Sequence, residues 1–150
     1  MSAATQIHTP ELPASVRIRP GVLVVPGTET PKDAGYIAAT WAESSGSQLG
    51  DMTGARPREW RELLKDRISR DMRRHRLAVA CDVDDEDRIY GWACGSPGVL
   101  VYVYVRDTRR RLGIGRALVE SVCGGAPKRC TWMTPSVQIL ALRFQVEWRP

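Results

Sequence analysis

Apolar and polar positions alternate and then run together along Val16–Val25 (VRIRPGVLVV), which predicts a first strand interrupted at Pro20-Gly21. Residues 1–15 before it are polar and punctuated by proline, and they are expected to form a flexible arm. Pro26–Pro31 reads as a connector. Asp33–Glu43 puts Ile37, Ala38 and Trp41 on one side of a short helix, and the Ser- and Gly-rich run Ser44–Gly54 reads as a loop. Pro57 suits a first helical residue, since its missing N–H would have no intrahelical partner there. From it Trp60, Leu63, Leu64, Ile68 and Met72 recur at helical spacing, so a helix is expected to about Arg74.

Leu77–Asp82 and Arg88–Cys94 predict an antiparallel hairpin around the acidic stretch Val83–Asp87. Val99–Val105 (VLVYVYV) is the strongest strand signal, with Val99, Val101, Val103 and Val105 expected on one face and Leu100, Tyr102 and Tyr104 on the other. Gly113–Cys123 (GIGRALVESVC) predicts a helix closed by Gly124-Gly125. Lys128–Thr134, Ser136–Arg143 and Phe144–Trp148 read as strand, short helix and last strand. The sum is one mixed α/β domain over residues 16–150, built around a single sheet.

Composition narrows this only a little. The 150 residues fit one domain, and no apolar run approaches the roughly 20 residues needed to span a bilayer. The start, MSAATQIHTPELPAS, has neither a basic nor an apolar signal region, so a cytoplasmic protein is expected. Cys81, Cys94, Cys123 and Cys130 form no CxxC pair, and His8 and His75 lie far from any cysteine pair; no metal site is expected, and reduced, partly buried thiols are. The net charge of +5 suits either nucleic acid or a phosphate-rich cofactor, so the placement of the arginines must decide.

The segment Val99–Val119 (VLVYVYVRDTRRRLGIGRALV) carries the chemistry. A buried strand ends in a basic turn, and two glycines then open a helix whose first N–H groups lack partners. Gly113 and Gly115 let an anion approach the backbone closely, and Arg109, Arg110, Arg111 and Arg116 add positive charge: a site suited to pyrophosphate. The spacing is neither GxGxxG nor GxxxxGK[ST], which removes support for dinucleotide binding and nucleoside-triphosphate hydrolysis.

Arg110-Arg111-Leu112-Gly113-Ile114-Gly115 resembles the pyrophosphate loop of GNAT-type N-acetyltransferases, whose pattern is Gln or Arg, two residues, Gly, one residue, then Gly or Ala. The YVYV strand, the TWMT run and the terminal EWRP also resemble small acetyltransferase-like proteins of bacteriophages and prophages. The resemblance implies a mixed, mostly antiparallel sheet flanked by about four helices and splayed between strands 4 and 5. It implies acetyl-coenzyme A, or another acyl-coenzyme A, held by Tyr104, Val105 and Arg110, Arg111, Leu112, Gly113, Ile114, Gly115 and Arg116. A primary amine would attack the thioester directly, with a backbone N–H of the strand stabilising the oxyanion. Many relatives place a Tyr in the last helix near the thiolate, and Ser136–Arg143 contains none. Tyr104, Ser136 and Thr134 stand as substitutes for the acid, and Glu43, Asp51, Glu59 and Glu147 as candidate bases, with Glu43 carried forward.

Two other readings stand beside it. The helix Pro57–Arg76 carries eight Lys and Arg residues, enough for a nucleic-acid face, although Glu59, Glu62, Asp66 and Asp71 interleave at spacings suited to intrahelical pairs. An acetyltransferase-like fold without activity, used for protein binding, is the other. No membrane partner is implied, and a monomer or homodimer fits equally. Tyr102, Tyr104, Trp41 and Trp60 suit packing better than catalysis.

Overall fold

The computed structural model describes residues 12–24, 27–28, 31–53, 57–132 and 147–148. Six strands form one sheet in chain order: β1 (Val16–Pro20), β2 (Arg76–Asp82), β3 (Ile89–Ser96), β4 (Val99–Val105), β5 (Arg129–Cys130) and β6 (Glu147–Trp148). The first four pair antiparallel, and β4–β5 and β5–β6 pair parallel. Helices α1 (Ala34–Thr53) and α2 (Pro57–Arg74) cover one face, and α3 (Ile114–Cys123) covers the other. The mixed, mostly antiparallel sheet is the expected one; the helix anticipated over Ser136–Arg143 lies outside the described residues.

Three local readings change. Helix α1 does not stop at Glu43 but runs on through the Ser- and Gly-rich stretch to Thr53. Ser44 lies against the sheet, its hydroxyl 2.7 Å from that of Tyr102 and 2.7 Å from the Thr40 carbonyl, so tertiary contact overrides a poor helical propensity. On α2, Leu64, Ile68 and Met72 are buried as the spacing predicts, whereas Leu63 faces solvent. The first strand ends at Pro20, and Val24 forms a separate bridge to Pro31.

A fourth change is in β4. Val101 lies with Tyr102 in the layer under α1 and α2, and Leu100 lies with Val103 under α3. Simple alternation would give the reverse grouping for Leu100 and Val101. The pairing with β3 steps from Cys94↔Tyr102 to Gly95↔Leu100, so Val101 is an extra residue, a β-bulge. Sequence periodicity cannot show a bulge in a strand that is apolar on both faces.

The core under α1 and α2 is aromatic. Trp41, Trp92, Tyr102 and Trp132 are all nearly inaccessible to solvent, with ring centroids 5.0–5.7 Å apart. Trp92 Nε1 donates to Thr40 Oγ1 (2.8 Å), and Trp132 Nε1 to Asp71 (3.0 Å). On the opposite face Ile114, Leu118, Val119 and Val122 of α3 pack on Ala78, Ala80 and Ala93, whose small side chains let the helix approach the sheet. All four cysteines are buried and reduced. Burial pushes the Cys123 thiol up to about 12 and the Cys130 thiol to about 11, which keeps both inert at neutral pH.

One buried ion pair ties the layers together. Arg19 of β1 donates to both oxygens of Asp33 (2.7 and 2.8 Å) and to the carbonyls of Pro20 and Glu86. Asp33 in turn accepts the N–H of Val22 on its side chain and that of Ile37 on its carbonyl, placing it at the start of α1. Strand β1, helix α1 and the β2–β3 loop thus meet at one carboxylate.

Candidate functional site

The site grows out of the C-terminal end of β4. The Arg106 N–H donates to the Tyr90 carbonyl of β3 (2.9 Å). Alternation therefore turns the backbone groups of Tyr104 and Tyr102 to β3, and those of Val103 and Val105 to the other edge. On that other edge the Leu100 carbonyl accepts from Thr131 (3.1 Å), and pairing with β5 extends only over Val99↔Arg129 and Leu100↔Cys130. Beyond Thr131 no described strand covers the edge. The bulge at Val101 is what brings Leu100 and Val103 to the same side. Among the described residues β4 and β5 pair at Val99↔Arg129 and Leu100↔Cys130, and residues 133–146, which follow Trp132, lie outside them.

Of the two strand residues expected to meet a coenzyme, Val105 has its backbone on this open edge; Tyr104 has its own in the β3 ladder. The Tyr104 ring leans on Trp92 (centroids 6.3 Å) in the layer under α1 and stays partly exposed. Burial first, then the nearby Tyr36 hydroxyl and Asp107, raise its phenol above the usual value, so it is protonated at neutral pH. The charge of Glu43 on α1 acts in the same direction, so the structure brings these two candidates near each other. Ser136 and Thr134 lie outside the described residues, and the side chains of Asp51, Glu59 and Glu147 are not described.

After β4 the chain makes a 3-10 turn over Asp107–Arg109 and enters α3 through Arg110–Gly113. Arg111 has φ 65°, the left-handed region, and is the one such non-glycine among the described residues. Holding it there costs about 1–2 kcal/mol. Gly113, the residue before α3, has φ 80°, which glycine adopts freely. No side chain caps the helix, so its first N–H groups are left for something else. Alternating hand along Arg111–Gly113 gathers successive N–H groups into an anion-binding concavity. Gly115 lies in the first turn, where a Cβ would meet only Val105 Cγ2 at an ordinary 3.6 Å. Protein packing therefore gives no reason for glycine at this position, and access from outside does.

The arginines divide by partner. Arg109 lies over the Tyr90 ring (4.3 Å to its centroid), and Arg106 donates to the Tyr36 hydroxyl (3.0 Å). Arg110 pairs with Asp107 (2.8 Å) and donates through Nε to the Val105 carbonyl on the open edge (3.1 Å). Arg116 pairs with Glu120 (3.2 Å). Arg111 and Leu112 are exposed, and Ile114 is buried as the anchor of the turn. The donor types here, helix-start N–H groups with no side-chain cap and an exposed Arg111, are of the kind that fits a pyrophosphate. Among the described residues no three His, Cys, Asp or Glu side chains gather as metal ligands would, and no described helix is long and apolar enough to cross a membrane.

Sequence reasoning missed Tyr36 and Arg106, which flank Tyr104, and the Arg19–Asp33 pair. Nothing in their spacing marks any of them; each is brought into place by the sheet.

No family model matches the sequence, and no curated protein matches it significantly. Solved structures do. A candidate acetyl transferase from Pyrococcus furiosus superposes with a TM-score of 0.58 at 18% identity, over 91% of this chain and 95% of that one. A possible acetyltransferase from Clostridium difficile 630 does so with a TM-score of 0.50 at 15% identity, over 91% and 93%. The apo form of YjaB from Escherichia coli superposes more loosely (TM-score 0.47, 20% identity), over 73% of this chain and 65% of that one, so the chain spans about two thirds of its length. The fold is that of the GNAT-type acetyltransferases.

Proposed function

We propose that the chain binds an acyl-coenzyme A, with acetyl-coenzyme A as the expected donor, and transfers its acyl group to a primary amine. The observation that carries this reading is the junction of β4 and α3. A helix start with no side-chain cap and with left-handed Arg111 and Gly113 stands beside a strand edge that no described strand pairs past Leu100. The N–H groups of Arg111–Arg116 would hold the pyrophosphate, with Arg110 released from Asp107 to reach it. The open backbone groups of Val103 and Val105 would pair with amides of the pantetheine arm. The Arg110–Val105 contact must then give way.

The bound donor supplies a thioester carbonyl for a neutral amine to attack. A backbone N–H on the open edge of β4 would stabilise the developing oxyanion. Tyr104, protonated at neutral pH, is suited to give a proton to the leaving thiolate, and Glu43 to take one from the incoming ammonium. Ser136 remains the alternative donor. The superposed acetyltransferases support the donor class and say nothing of the acceptor.

Acetyl-coenzyme A and coenzyme A should each raise the melting temperature, by mass action on the native state. The shift should vanish in the Arg110→Ala, Gly115→Glu double variant; an equal shift in that variant rejects the turn as the binding site. Thiol release across a panel of amines then identifies the acceptor. With that amine, Tyr104→Phe should lower kcat by about 10²–10⁴ while coenzyme affinity is kept.

A further inference from the structure

At the end of the molecule away from the coenzyme turn, helix α2 runs into β2 through Arg73, Arg74, His75 and Arg76. The interleaved acids of α2 were expected to neutralise its bases. Among the described residues only Arg67 and Asp71 approach each other, at 4.0 Å. Asp71 is half-buried, accepts the Trp132 indole N–H and caps no other arginine. Asp66 is exposed and forms no ion pair among the described residues. Arg70, Arg73, Arg74 and Arg76 are therefore exposed with no described partner. Two of them, Arg73 and Arg74, lie in the last turn of α2, where cations offset the helix dipole. Arg70, a turn earlier, and Arg76, already in β2, have no such explanation.

These arginines border two adjoining concavities. One, of about 390 Å³, is lined by Asp66, Ser69, Arg70, Arg73 and Arg74. The other, of about 530 Å³, has Arg73, His75 and Arg76 on its rim and Leu23, Met72 and Leu77 among its lining. Arg73 borders both, so the two lie side by side, and together they are called the trough. The trough reaches Ser121 and Val122 at the C-terminal end of α3, one helix length, about 15 Å, from the coenzyme turn. His75 is held by its Nδ1 against Ser96 Oγ (2.6 Å), which fixes the bend between α2 and β2.

We infer that this trough binds the sugar–phosphate backbone of a nucleic-acid strand. The four cations along this stretch of α2 and β2 that border the concavities are arginines, whose planar forks match phosphate oxygens in pairs. Arginines spaced along two neighbouring concavities fit a chain of phosphates better than a single anion. Apolar Leu23, Met72 and Leu77 beside an arginine rim match a ligand that alternates charged phosphates with the less polar faces of sugars and bases. The inference does not rest on the acyltransferase reading.

The test is binding of a fluorescein-labelled single strand of 20 nucleotides, and of its duplex, by the full chain at 50 and 200 mM salt. Binding should weaken with salt at a slope set by about four phosphate contacts, near −3 for the single strand. The Arg70→Gln, Arg73→Gln, Arg74→Gln, Arg76→Gln variant should bind at least tenfold more weakly and lose most of that slope. It should keep its thermal stabilisation by coenzyme A if the parent shows one, and otherwise its parental melting temperature. The Arg109→Gln, Arg111→Gln variant should bind the strand as the parent does. No binding by the parent, unchanged binding by the fourfold variant, or loss in the Arg109, Arg111 variant overturns the inference. So does displacement of the strand by poly-glutamate at equal charge, or binding to phosphatidylserine vesicles but not to the strand.

Discussion

Asp33 keeps its charge where water hardly reaches it. Burial pushes its carboxyl up, but the hydrogen bonds from Arg19 and the Val22 N–H outweigh burial and hold it below the usual range. A depressed folded-state value contributes stability that is fully present above the unfolded value, about 3.9, and is lost as pH falls through the folded one. Replacing the acid strands a buried guanidinium, a change that costs about 3–5 kcal/mol in buried pairs. Urea unfolding at pH 7 should therefore show Asp33→Ala that much less stable than the parent, with the gap narrowing in acid as Asp33 of the parent is protonated. Equal midpoints at pH 7 would mean that the pair contributes nothing net. Neither partner stands out in the sequence: Arg19 sits in an alternating strand and Asp33 before a helix, and only the sheet closes the distance.

At the scale of elements, what could be read in the sequence followed from what each element buries. Helix α3 has one apolar stripe and one partner face, so the pattern IGRALVESVC places it within a residue. The turn before it was legible as a break between strand and helix, since Gly113 takes a positive φ that glycine adopts freely. Strand β4 was legible as a strand but not in its facing, because valine and tyrosine suit both sides of a covered sheet and hide the extra residue at Val101. The length of α1 was also hidden, since Ser44 and the residues after it have weak propensity and gain their helical state from Tyr102 and α2. The first turn of α3 separates stability from function. A methyl at Gly115 has ordinary room beside Val105 and removes a glycine from a helix, so Gly115→Ala should raise stability by about 0.5–1 kcal/mol. On the proposed function it should also weaken coenzyme A binding, because the methyl stands where the ligand approaches. Thermal melts with and without the ligand read both effects; a variant more stable and equally well bound would show that Gly115 serves no ligand.

Across the whole molecule the two basic regions lie at opposite ends of α3, and they are built differently. The coenzyme turn offers backbone N–H groups with arginines already engaged elsewhere, and the trough at α2 offers side chains alone. On the two proposals, the positive net charge is divided between two kinds of anion recognition. The short seam between β4 and β5 has its own consequence for amide hydrogen exchange. Strands β1 to β4 are joined over four or more residue pairs at each seam, and their amides should exchange only through large openings. The Arg129 and Thr131 amides hang on the first rungs of a two-rung seam and should be deuterated far sooner. The Val103 and Val105 amides, on a side that no described strand pairs, should on the proposed function exchange quickly without ligand although their neighbours in β4 do not. A molecule lying along that edge would slow these two amides and leave Ala78–Ala80 unchanged, so the sheet itself reports whether its open edge is filled.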